Sequence, residues 1–236
     1  MFIEQCRQSG NDQKAIEYYS QAIKLSPGYP MGYLYRATTY SKMGQYNKAI
    51  ADFSKTLELN IGSENVLWSR GMAYSKSGQY QKAIDDYTKA LQLRPDFASV
   101  RTERALAYMK LGETEKAMND FSQTIAKSPR YAQNYCDRAS AYYQLGEYQK
   151  ALDDYAKAIE LYPDRAGYYD LRAQTYLKLS KWEQVVDDCS KSIEINPNLA
   201  DSYRFREQAY EKLGKHDLAL SDHEKVQKLG CSTQNN

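Results

Sequence analysis

Apolar and small residues along the chain fall into paired runs at helical spacing. Leu67, Arg70, Gly71 and Tyr74 lie at i, i+3, i+4 and i+7, one face of an α-helix, and after Gly78 the spacing resumes with Tyr80, Ala83, Ile84, Tyr87, Ala90 and Leu91. Two helices joined by a tight turn are predicted, and the pair recurs. Glycine returns every 34 residues at Gly10, Gly44, Gly78, Gly112 and Gly146, Ser180 takes the sixth place, and Gly214 the seventh. Seven copies without insertion or deletion describe one supersecondary unit repeated along a line.

With each glycine at the fifteenth place, full units run over 30–63, 64–97, 98–131, 132–165, 166–199 and 200–233, preceded by a partial unit over 1–29 and followed by a tail, 234–236. One domain over 1–233 is expected, because a stack grows by adding layers that touch only their neighbours. A short helix-to-helix reversal needs a residue at positive φ, so Ser180 is expected to mark the most strained turn. Proline at Pro27, Pro95, Pro129, Pro163 and Pro197 closes the second helix, and in the first full unit Ile61 stands there with Gly62 as the alternative stop. Asp96, Asp164 and Asn198 follow the prolines and read as N-caps of the next first helix.

Small residues recur at Ala37, Gly71, Ala105, Ala139 and Ala173, and at Ala15, Ala49, Ala83, Ala117, Ala151 and Ala219. Large ones form columns beside them: Tyr40, Tyr74, Tyr108, Tyr142, Tyr176 and Tyr210, then Tyr19, Phe53, Tyr87, Phe121 and Tyr155. Small against large at fixed steps is the pattern of interdigitating layers. It accounts for many of the 23 tyrosines without any chemistry.

Tyr135, Ala139, Tyr142, Gly146, Ala151, Tyr155, Ala158 and Pro163 reproduce the signature of the tetratricopeptide repeat, and the chain resembles that family over residues 1–233. The resemblance implies an all-α fold, an α-solenoid wound as a right-handed superhelix of antiparallel helix pairs. First helices would line its concave side. It also implies a non-catalytic scaffold that binds protein or peptide partners in that groove and needs no cofactor.

Where the family often has leucine, this chain has Arg36, Arg70, Arg104, Arg138, Arg172 and Arg206. Sixteen residues later stand Asp52, Asp86, Asp120, Asp154, Asp188 and Asp222, while the partial first unit has Phe2 and Tyr18 at the two places. Both columns switch together, as a direct contact requires, and structural ion pairs within each unit are expected. Since every arginine carries its own acid, a basic stripe for phosphate or RNA is disfavoured.

Charge adds little to the picture: 32 basic and 30 acidic residues leave +2, too small a field to concentrate nucleic acid or an anionic membrane. No apolar stretch is long enough to span a bilayer. Cys6, Cys136, Cys189 and Cys231 are scattered without metal-ligand spacing, the usage of a reducing compartment, and a cytoplasmic location is expected. The opening Met-Phe-Ile-Glu-Gln-Cys-Arg lacks a signal peptide's order and the start of a repeat, and a fragment whose targeting segment was cut away is one reading of it. No histidine precedes His216 and no phosphate-gripping loop or nucleophile set is present, which argues against an enzyme and against a metal site. His216, His223 and Glu207, at places held elsewhere by apolar residues, read as the polar cap of the last unit.

In the family, places 2, 5, 9 and 12 of each first helix face the groove. The partner-binding residues expected on this ground are Met31, Leu34, Asn65, Trp68, Met72, Thr102, Leu106, Met109, Cys136, Tyr143, Asp170, Gln174 and Arg204. Trp68, Met72, Leu106 and Met109 together suit an adaptable peptide-binding surface; packing between adjacent first helices is the alternative. Some members grip a C-terminal carboxylate with lysine and asparagine at places five and nine. Leu34 and Thr38, Trp68 and Met72, Thr102 and Leu106, and Cys136 and Ser140 replace that clamp. Two further roles stand beside the groove: self-association through the N-terminal edge around Phe2, Ile3 and Cys6, and single-stranded RNA binding, which the near-neutral charge disfavours.

Overall fold

The computed structural model describes residues 12–59 and 63–232, and every regular element among them is an α-helix. Gly10, Ile61, Gly62 and the N-terminal edge at Phe2, Ile3 and Cys6 lie outside the described residues. Two compact units are distinguished, residues 1–120 and 121–236. In the first, α1 (Asp12–Leu25), α2 (Pro30–Lys42), α3 (Tyr46–Glu58), α4 (Glu64–Lys76), α5 (Tyr80–Leu93) and α6 (Ala98–Lys110) each pack on the next, and α4 also touches α2 and α6. After α7 (Thr114–Lys127), which carries the division, the second unit continues with α8 (Ala132–Gln144), α9 (Tyr148–Leu161), α10 (Ala166–Lys178), α11 (Trp182–Ile195), α12 (Ala200–Lys212) and α13 (His216–Ser232). Its helices pack in the same consecutive order, with α10 also touching α8 and α12.

Each described turn closes in the same way. Gly44, Gly78, Gly112, Gly146 and Gly214 have φ between 70° and 79°, and the next residue donates its N–H to the carbonyl of the column tyrosine, as Gln79 does to Tyr74 at 2.9 Å. This is the left-handed C′ position of a helix stop, which glycine occupies without a Cβ penalty. Ser180 adopts φ 55°, and it is the non-glycine residue at positive φ among the described residues.

The first-helix starts differ from the expected caps. Phe97, Arg165 and Leu199 are the N-caps, one residue after Asp96, Asp164 and Asn198, and none of the three makes a side-chain cap bond. The reason is turn chemistry: the Phe97 N–H donates to the Arg94 carbonyl at 3.2 Å, closing a turn with Pro95 and Asp96 at its two central places. Ser63 caps with its side chain, accepting from the Val66 N–H at 3.3 Å.

Packing follows the small-and-large columns. Ala37, Ala49 and Phe53 share one buried cluster, and Ala139, Ala151, Tyr155 and Ala158 another. At Gly71 the approach is closest, since a Cβ there would stand 2.5 Å from Cε1 of Tyr87.

The arginine column holds both units together internally. In each full repeat the guanidinium Nε and Nη2 donate to the two carboxylate oxygens of the aspartate sixteen residues on, at 2.7–2.8 Å. The third donor, Nη1, reaches a hydroxyl sixteen residues back: Ser20 for Arg36, Ser54 for Arg70 and Thr88 for Arg104 in the first unit, Ser122 for Arg138 and Ser190 for Arg206 in the second. Ala156 occupies that place before Arg172 and offers no hydroxyl. The column tyrosines lie against the same cations, Tyr40 between Arg36 at 5.9 Å and Lys48 at 5.4 Å from its ring centre.

Candidate functional site

The stripe of first-helix residues is partly open. In the first unit Asn65 and Leu106 are exposed, while Met31, Leu34, Trp68, Met72, Thr102 and Met109 are half-buried. Trp68 meets Phe97 edge-on at 5.3 Å, and with Met72 it flanks the core cluster that contains Leu67, Tyr87 and Val100. Asn65 accepts from Arg94 Nη2 at 3.3 Å; Arg94 stacks over the Phe97 ring at 3.4 Å and pairs with Glu64 at 3.5 Å.

A cleft of about 330 Å³ opens in this unit, bounded by Thr38 and Ser41 of α2, Tyr46 and Phe53 of α3, and Trp68, Met72 and Lys76 of α4. Its walls are apolar apart from hydroxyls and the Lys76 ammonium. Neither the Trp68 Nε1 nor the Ser41 Oγ has a hydrogen-bond partner, and both atoms are buried. Tyr46, Ser69 and Lys76 are lining residues that the four-place stripe omits. Lys76 follows place 12 by one residue, a 100° step, so a wider stripe would have included it.

In the second unit the stripe is mostly engaged within the protein. Cys136 is a correction: it is 4% exposed and packs with Ala139, Tyr155 and Tyr168, so its thiol is closed to a partner. The same place holds Trp68 in the first unit. The difference lies in what covers each, since Tyr168 of the following first helix shuts over the small cysteine, whereas Val100 leaves the large indole partly open. Burial pushes the Cys136 thiol up to about 12. Tyr143 is half-buried with its ring 5.6 Å from that of Tyr148, and Gln174 is half-buried. Asp170 accepts from the Ser202 hydroxyl at 2.7 Å, and burial raises its carboxyl above the ordinary range. Arg204 is exposed beside Asp201 at 2.5 Å.

The six paired arginines are held more firmly protonated by the hydrogen bonds they donate to their aspartates, against the opposing effect of burial. These charges are committed to the scaffold. Arg101 is buried too, its Nη2 donating to the Pro95 carbonyl at 2.5 Å, the bond that the Tyr135 and Tyr203 hydroxyls make to Pro129 and Pro197. At the end of the second unit His223 Nδ1 lies 3.0 Å from Glu207, and His216 Nδ1 lies 3.0 Å from Glu211. Among the described residues no group of three histidine, cysteine or acidic side chains could hold a metal ion, and no helix is long and apolar enough to cross a membrane.

Models of the tetratricopeptide repeat match residues 6–29, 30–60, 103–131 and 132–165, and a model described as a TPR repeat matches 71–112. No curated protein matches the sequence significantly. Among solved structures, a tetratricopeptide repeat protein from Parabacteroides merdae is similar at 20% identity, covering 97% of this chain and 90% of its own, with a TM-score of 0.76. MamA is similar at 23% identity over 70% of this chain and 97% of its own, with a TM-score of 0.63. YrrB, described as a TPR protein with an unusual peptide-binding site, is similar at 20% identity over 80% of this chain and 97% of its own, with a TM-score of 0.57. Helical hairpins of 34 residues, glycine turns at positive φ and matches over more than half of the sequence agree: the chain belongs to the tetratricopeptide repeat family.

Proposed function

We propose that this protein is a non-catalytic interaction scaffold that binds a partner polypeptide on the first-helix stripe, in the groove that the family uses, with the apolar anchors in the first unit. The carrying observation is the apolar cleft bounded by Trp68 and Met72, two large side chains left half-open beside the sealed core residues Phe53 and Ala73. An adaptable thioether beside an aromatic surface suits a peptide side chain. The committed charges point the same way, because the arginine column is already bound to aspartates and is not a stripe of free cations for nucleic acid. YrrB, with its described peptide-binding site, supports peptide recognition as a role open to this fold.

The test is affinity capture with the intact chain beside the double variant Trp68→Ala, Met72→Ala, each shown by circular dichroism to keep its helix content. Partners present with the parent and missing with the variant are expected. An unchanged set of partners would remove the first-unit cleft from the binding role.

A further inference from the structure

One cation, Lys76, stands at the apolar cleft of the first unit without an acid beside it. The Trp68 indole Nε1 and the Ser41 hydroxyl are buried and unpartnered, both side chains line the cleft, and Lys76 lines it beside them. The lysine at the same place of the preceding repeat, Lys42, is paired with Asp12 at 2.9 Å. Lys76 is exposed and has no counterpart to that aspartate. An ammonium can only donate, so what satisfies Lys76 must bring acceptor oxygens. The remaining wall, with Phe53, Met72 and Ala73, is apolar. A fitting occupant is therefore apolar in body and carries negative charge at its edge.

We propose that the cleft holds an acidic segment of a partner protein. A leucine-sized side chain enters it, and the carboxylate of a neighbouring aspartate or glutamate pairs with Lys76. Nucleic acid is the poorer match, since Lys76 is the one cation lining the cleft and a phosphate backbone is gripped by several. The inference rests on the partner-binding role proposed above and adds the chemistry of what is bound.

The indole N–H of Trp68 reports on the site directly, and Trp182, the other tryptophan, serves as an internal control in the second unit. Nuclear magnetic resonance titration of the intact chain would use three blocked peptides: acetyl-Gly-Leu-Glu-Gly-amide, the same with Gln for Glu, and the same with Ala for Leu. The Leu-Glu peptide is expected to shift the Trp68 signal to saturation and leave that of Trp182 in place. The Gln and Ala peptides should bind at least threefold more weakly, and in Lys76→Gln the Glu and Gln peptides should become equal. An unmoved Trp68 signal, or equal affinity for Glu and Gln peptides in the parent chain, overturns the proposal. If that happens while partner capture still depends on Trp68 and Met72, the acidic segment is refuted and the binding role stands.

Discussion

Arg70 on α4 gives Nε and Nη2 to the two carboxylate oxygens of Asp86 on α5, each at 2.7 Å, with Asp86 almost wholly buried. Bidentate geometry of this kind fixes both side chains and ties the two helices of a repeat together. Removing one partner strands the other charge in a dry environment. Arg70→Leu or Asp86→Leu alone should cost about 3 kcal/mol, whereas the double leucine variant should cost much less, because packed apolar groups replace a buried pair at little loss. Urea denaturation of the three variants measures the difference, and additive losses would contradict a direct pair.

The third arginine donor links one repeat to the one before it, and Ala156 leaves that link unmade at Arg172. Introducing Ala156→Ser should supply the hydroxyl that Ser54 gives Arg70 at 3.0 Å and raise stability by about 1 kcal/mol. Ser54→Ala should lower it by a similar amount. Thermal unfolding of both variants decides whether the hydroxyl column contributes.

Ser180 holds a left-handed conformation that the glycines elsewhere adopt freely. Ser180→Gly should stabilise the chain by about 0.5–1 kcal/mol, the relief of the Cβ clash less the greater freedom that glycine gives the unfolded chain. Gly146→Ser should do the reverse. Matched melting curves of the pair check both signs.

Burial raises the Asp137 carboxyl above its ordinary range, although Gln133 Nε2 donates to it at 2.7 Å. A carboxyl whose folded value exceeds its unfolded one contributes stability when protonated, and that contribution is lost as pH rises through the folded value. Ionised Asp137 is thus a liability at neutral pH. Asp137→Asn should melt higher than the parent at pH 7, and the gap should close near about pH 3, where the parent group is protonated in both states. A gap that widens on acidification would reverse the assignment.

The repeat, its helices and its turns were legible in the residue order because they are local. A helical period, a glycine at a reversal and a proline at an end each act within a few residues, and a period of 34 multiplies the signal. The joint switch to arginine and aspartate was visible for the same reason, as two columns a fixed sixteen residues apart. Caps at Asp96, Asp164 and Asn198 were misplaced by one residue because a proline turn and a cap favour the same residue types.

Which side of a first helix stays open could not be read that way. A helical wheel gives the angle of Trp68 and Cys136 about their axes, and gives the same angle for both, since they hold one place in the repeat. Tyr168 on the next first helix seals Cys136, while Val100 leaves Trp68 at the edge of a cleft with Ser41 and Lys76. The sequence by itself determined the unit, its turns and its paired columns, because these depend on neighbours along the chain. Only the tertiary structure decided which side chains are covered, because cover comes from the size of a residue one repeat away.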